Sequence, residues 1–154
     1  MSSDELTQPE ADALLAMEKH RVNDDILRFP ELGKKLIVNL EIVNLESVDG
    51  RERFHLDMAS SYIKLSKFTF QNRARTIVIL ARLDIDGAPH RNPDDTEIPG
   101  THLHLFREGY ADKWAYPVPP ELFMDLSDRW TTLQDFMKYC NITKPPEFDR
   151  GLFS

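Results

Sequence analysis

His102 and His104 are the residues of this chain best placed to do chemistry. On a strand they share one face, where alternate positions stand ~6.5–7 Å apart. Two imidazoles at that spacing can ligate one metal ion, bracket one phosphate, or act as the acid and base of a phosphodiester cleavage. Asp84 is the carboxylate expected to orient one of them. Lys67, Arg82 and Arg107 are the cations expected to hold phosphate, and His90, Arg91 and Trp114 complete the expected ligand-binding set. Adding Glu108 gives His-x-His-x3-Glu, the donor set expected should a divalent metal be bound. No organic cofactor is expected. No Ser/His/Asp signature, glycine-rich phosphate loop or His-Glu-x-x-His helix is present.

The plainest alternative is structural. A His-x-His pair on a solvated strand face is often polar decoration, and either ring could tie strands together through Asp84 or Asp57. Cys140, within an apolar helical stripe, reads as a packing residue. Trp114, Tyr116 and Trp130 read as core or interface aromatics. Asn92-Pro93-Asp94-Asp95 is a run of good turn formers.

Composition narrows the field. With 154 residues, 41% hydrophobic and 29% charged, the chain is expected to be a single domain spanning 1–154. A net charge of −7 argues against a broad nucleic-acid-coating face. The segment from Lys64 to Arg82 nevertheless carries Lys64, Lys67, Arg73, Arg75 and Arg82 without one acid, which suits a compact anion site. One cysteine excludes an internal disulfide framework and a cysteine-rich zinc site. No run approaches the ~20 apolar residues of a membrane span. The start lacks the basic and apolar regions of a secretory signal, so a cytoplasmic location and no membrane partner are expected.

Hydrophobic periodicity places these residues on elements. Thr7 and Glu10 form a capping box opening a helix over about 7–22. Strands are predicted over Lys34–Leu45, Arg53–Met58, Tyr62–Gln71, Arg75–Ile85, Thr101–Glu108 and Lys113–Tyr116, with a hairpin turn at Ser47–Gly50. In the fourth, Ile77, Ile79, Ala81, Leu83 and Ile85 are expected on one face, with Arg82 and Asp84 on the other. In the fifth, Phe106 and Glu108 are expected beside the histidines. Two helical pieces follow, Glu121–Ser127 and Thr131–Cys140, then an irregular tail. The expected fold is α+β: a twisted antiparallel sheet or open barrel of about five to six strands over 34–117, flanked by the N-terminal helix and a helical region at 121–141.

The string GAPHRNPDDTEIPGTHLHLFREGYADKWAYPVP resembles the central block of an uncharacterised family of small bacterial proteins, often carried by prophages or other mobile elements. The shared pattern joins His90-Arg91-Asn92-Pro93-Asp94 to His102-Leu103-His104, Arg107-Glu108-Gly109 and Asp112-Lys113-Trp114-Ala115. Phe54–Asp57 and IKLSKFTFQNRAR extend it over the middle two-thirds of the chain. That pattern has glycine after Asp94, where this chain has Asp95. The resemblance implies no established activity. It favours roles typical of mobile elements: a toxin-like RNase with an antitoxin partner, or a protein that blocks a host defence. His-x-His-x3-Glu also resembles the first metal motif of cupins, although no histidine follows His104 to supply the second.

Three functional expectations result. The first is a histidine-centred pocket that binds RNA or a nucleotide and cleaves a phosphodiester, with His102 and His104 as acid and base. The second is a non-enzymatic protein whose acidic surface occupies a nucleic-acid channel on a host defence partner. The third is a cupin-like metal-dependent enzyme. Sequence leaves the oligomeric state open.

Overall fold

Alternation of apolar and polar side chains along four successive strands builds the sheet that carries the histidines. The computed structural model describes residues 5–29, 40–61, 63–64 and 66–150. In chain order the elements are α1 (Gln8–Ala16), β1 (Lys19–Arg21), β2 (Ile26–Arg28), β3 (Leu40–Ser47), β4 (Arg53–Ser60), β5 (Phe68–Ala74) and β6 (Val78–Ile85). There follow β7 (His90–Arg91), β8 (Glu97–Ile98), β9 (His102–Leu105), β10 (Ala115–Tyr116), α2 (Arg129–Tyr139), β11 (Ile142–Lys144) and β12 (Glu147–Asp149). Among the described residues the main sheet has eight strands in the order β10-β9-β6-β5-β4-β3-β1-β11. The fold is α+β as expected, with a larger sheet than the predicted five to six strands. It is also mixed, because β1 pairs with β11 in parallel.

Register divides the sheet into two chemically different faces. Val43, Leu56, Asn72, Ala81 and Leu105 form one cross-strand row, and Met58, Phe70, Leu83 and Leu103 form the next. These rows make the core with Ala11 and Leu14 of α1 and Leu133, Phe136 and Met137 of α2. Each large side chain removed from water there contributes roughly 1.5–3 kcal/mol. On the opposite face Ile42, Asp57, Gln71, Arg82 and His104 align in one row, and Leu40, Ala59, Thr69, Asp84 and His102 in another. The meander β3–β6 and the outward placement of Arg82 and Asp84 follow the sequence prediction.

Other boundaries differ for identifiable reasons. The first helix ends at Ala16, because Met17 is extended and Lys19 joins the sheet between β3 and β11. Positions 34–39 of the predicted first strand lie outside the described residues, and the strand observed runs to Ser47. The third strand begins at Phe68. Before it, the Ser61 hydroxyl accepts from the backbone N–H groups of Ile63 and Lys64 and holds a turn. A bulge between Asn72 and Arg73 pairs Ala81 with Asn72 but Ile79 with Arg73. Leu80 is the extra residue and is buried, while Ile77 is 82% exposed and Ile79 faces away from the core row. The segment 121–127 is turns rather than helix, β11 follows α2 directly, and the tail from Lys144, expected to be irregular, contributes β12.

One ammonium ties the helical layer to the sheet. Lys19 is wholly buried, and its Nζ donates to the carbonyls of Leu15 (2.8 Å), Met17 (2.8 Å) and Cys140 (2.7 Å). Leu15 and Met17 close α1, and Cys140 caps α2, so one cation satisfies the negative ends of both helices. The Phe54 ring lies beneath it, 4.8 Å away. Burial draws the Lys19 pKa down to about 8 and pushes the buried Cys140 thiol up to about 12. Lys19→Met keeps the stem and removes the donor, orphaning three carbonyls. It is expected to lower unfolding stability by about 3 kcal/mol, read as a shift of the urea midpoint at unchanged slope.

Candidate functional site

Pairing of β6 with β9 places Arg82 opposite His104 and Asp84 opposite His102. Both imidazoles are nearly inaccessible, at 2% and 1%. Each is fixed by a backbone carbonyl: His102 Nδ1 lies 2.6 Å from Pro99 O, and His104 Nδ1 lies 2.7 Å from Asp112 O. A carbonyl oxygen only accepts, so both Nδ1 atoms carry hydrogen and both Nε2 atoms are turned inward. Those two nitrogens approach the same Asp84 oxygen, at 3.1 Å and 3.3 Å. One donor atom from each of Asp84, His102 and His104 lies within 4.8 Å of the others. The three could hold a divalent cation.

Neighbouring groups complete the electrostatics. Arg82 donates from Nη2 to His104 Nε2 (3.0 Å) and from Nη1 to Asp112 Oδ2 (2.9 Å), with Nε 3.2 Å from Asp84 Oδ1. Thr69 donates to that same Asp84 oxygen at 3.1 Å. Burial alone would raise the Asp84 pKa. Contact with His104, Arg82 and His102 outweighs it and holds the carboxyl at about 2, below the ordinary 3.8. Among the described residues His102 Nε2 faces that carboxylate with no other polar partner. In the adjoining row Asp57 accepts from Gln71 (2.7 Å) and, bidentately, from Arg73 (2.5 and 2.8 Å).

The centre lies in an open cleft of about 520 Å³, lined also by Lys67, Gln71, Ala88 and His90. Lys67 is exposed and has no carboxylate partner among the described residues. His90 arrives on the β7–β8 hairpin, its ring centroid 4.6 Å from that of His104 and 5.7 Å from that of His102. Its Nε2 donates to Lys113 O at 2.7 Å. The hairpin is fastened by buried Asn92, whose amide exchanges two hydrogen bonds with the Ala115 backbone, at 2.9 and 2.8 Å. Asp95 sits at φ 71°, a left-handed conformation that glycine adopts without strain. Gly87 and Gly100 close the loop base, where a Cβ on Gly100 would lie 2.0 Å from Gly87 O.

The structure therefore gathers His102, His104, Asp84, Arg82, Lys67 and His90. It does not bring in the others. Arg91 is exposed and bonds Asp95 O (3.0 Å), while Arg107 stacks on Trp114 at 4.1 Å, away from the cleft. Glu108 is corrected as a metal donor. The chain leaves the strand after Leu105, Phe106 enters the core, and Glu108 instead accepts from the Gln8 backbone at the start of α1 (2.7 Å). Asp84 supplies the carboxylate instead. Asp112 and Pro99 escape a sequence reading because they act on the imidazoles through carbonyls, which every residue type possesses.

All of the centre falls within the region matched by a family model, residues 6–142. The chain belongs to DUF6978, a family of unknown function. An uncharacterised family is thus what the central block pointed to. Comparison with curated proteins and with solved structures gives no match. No helix among the described residues is long and apolar enough to cross a membrane.

Two outcomes test this geometry. A carboxyl whose folded pKa is depressed stabilises the fold above its unfolded value and loses that contribution as pH falls through the folded value. Asp84 should therefore contribute about 2 kcal/mol that disappears between about pH 4 and pH 2. Acid titration of unfolding stability should show that loss in the wild type and a flatter profile in Asp84→Asn. Gly100→Ala must force the loop base apart and should cost about 2 kcal/mol or more in thermal unfolding, whereas Gly109→Ala, with nothing near its Cβ position, meets only its positive φ.

Proposed function

We propose that the cleft holds a divalent transition-metal ion on Asp84, His102 and His104 and hydrolyses a phosphate-bearing ligand, RNA or a nucleotide. One observation carries this reading: both imidazoles commit Nδ1–H to a carbonyl and turn Nε2 onto one carboxylate. Metal-binding histidines are commonly oriented that way, with the outer nitrogen donating to a fixed acceptor. Two imidazoles and one carboxylate form a set that binds zinc or iron and leaves coordination positions open. A cation held there would lower the pKa of a water and neutralise charge on a phosphoryl group. Lys67 and Arg82 supply positive charge along the cleft for the ligand's remaining oxygens. His90 lies outside the donor set and lines the cleft beside both imidazoles.

A metal-free division of labour fits less well. Acid and base in a phosphodiester cleavage act on different oxygens, yet here the two Nε2 atoms address one Asp84 oxygen from neighbouring positions. Likeness of the central block to mobile-element proteins supports a cytoplasmic, toxin-like setting for the activity, with an antitoxin as protein partner.

Metal analysis and nuclease assays decide the matter. The purified protein, equilibrated with Zn²⁺ or Mn²⁺ and desalted, should retain one ion per chain and hydrolyse bis(p-nitrophenyl) phosphate or single-stranded RNA. Chelation should stop the reaction, and His104→Gln should lower the rate by about 100-fold. Turnover that survives both treatments, or a protein that takes up no metal, would end this reading.

A further inference from the structure

We infer that Arg82 is a latch over the centre, which metal binding opens to create a subsite for a tetrahedral oxyanion such as phosphate. The inference rests on the metal reading above and adds a coupling that reading does not require. An imidazole nitrogen has a single lone pair, and that of His104 Nε2 is occupied by Arg82 Nη2 at 3.0 Å. The same guanidinium places Nε 3.2 Å from Asp84 Oδ1. Arg82 thus covers two of the three donor groups. Ligation by His104 and the Arg82 hydrogen bond exclude each other, and a cation at the centre also repels the guanidinium.

Where the released guanidinium goes is set by its third contact. Asp112 Oδ2 holds Nη1 at 2.9 Å, and Asp112 also fixes the His104 ring through its backbone carbonyl. Arg82 lines the cleft, and it and Asp112 are both partly exposed, with side-chain accessibilities of 26% and 29%. Swung off His104 but still tethered to Asp112, the guanidinium presents freed N–H donors to the cleft. A planar fork of donors matches two oxygens of a phosphate. Lys67, lining the same cleft without a carboxylate partner among the described residues, supplies a second positive charge. Metal and oxyanion should therefore bind cooperatively, each raising the affinity for the other by the same factor. In the metal-free state the latch pairs His104 Nε2 and Asp84 Oδ1.

Calorimetric and visible-absorption titration of the full chain with Co²⁺, with and without inorganic phosphate, tests the latch. Arg82→Gln removes the competitor, and its Co²⁺ affinity without phosphate should exceed that of the wild type by about ten-fold. Phosphate should tighten Co²⁺ binding to the wild type by a similar factor and change that of Arg82→Gln by less than about two-fold. Asp112→Asn retains the guanidinium but weakens its tether, so its Co²⁺ affinity should fall between the two. Should Arg82→Gln not fold, as thermal melting would reveal, the Asp112→Asn result stands as the test. Wild-type Co²⁺ binding that neither substitution strengthens overturns the latch and leaves the metal centre standing. Absence of Co²⁺ binding to the wild type overturns both.

Discussion

Cross-strand register is the constraint on which this molecule depends. Side chains alternate with a period of two, so a slip of one residue exchanges the faces of a strand. In β6 such a slip would carry Arg82 and Asp84 into the aliphatic layer and expose Leu83 and Ile85. Large apolar side chains on both sides of the interface forbid it: Met58, Phe70, Leu83 and Leu103 pack as one row beneath α2, with Phe70 meeting Phe136 at a ring distance of 6.2 Å. The sole described register shift between β5 and β6 falls beyond Ala81, towards the Arg73 end. Rows through Arg82 and Asp84 are therefore undisturbed. A core contact on one face fixes a donor geometry on the other.

A sheet can leave one face polar only when the other is securely covered. Lys19 bears much of that requirement. Its ammonium holds the C-terminal ends of α1 and α2 together over the Phe54 ring, at a point where both helices would otherwise present unsatisfied carbonyls to a dry interior. Burying an unpaired cation is costly, and the lowered pKa records that cost. Three charge-assisted hydrogen bonds offset it. With the helical layer held in this way, the histidine-bearing face is free to follow the demands of chemistry.

Sequence revealed the meander, the capping box at Thr7 and Glu10, and the placement of His102, His104 and Asp84 on one polar face, because each follows from local pattern. Deviations from the pattern were not legible. The bulge at Leu80 inserts an apolar residue among apolar residues, which leaves no mark on hydrophobicity. The short strands β1, β11 and β12 are held by backbone pairing and contain Lys19, Lys144, Glu147 and Asp149, residues that suggest loops. Glu108 matches a metal motif by spacing, but on a continuous strand it would stand ~13 Å from His104, and the turn after Leu105 carries it to the start of α1 rather than back to the histidines. Asp84 lies eighteen positions before His102; the sequence predicts it as the carboxylate orienting one ring, and strand pairing sets it against both.

Charge at the centre follows from the choice of orienting groups. Carbonyls of Pro99 and Asp112, rather than carboxylates, hold the two imidazoles, so these second partners add no negative charge. A divalent cation bound by one carboxylate and two neutral imidazoles would retain one positive charge. The neighbouring Asp57 is already neutralised by Arg73 through a bidentate pair, and the Asp112 carboxylate is matched by Arg82. Lys67 then remains as surplus positive charge along the cleft. An acidic protein with net charge −7 can in this way present a locally cationic pocket, since interactions beyond about 8–10 Å are screened at physiological salt while those within a partly buried cleft are not. Overall acidity repels long polyanions from the surface at large, so any positive field the molecule offers is confined to the cleft.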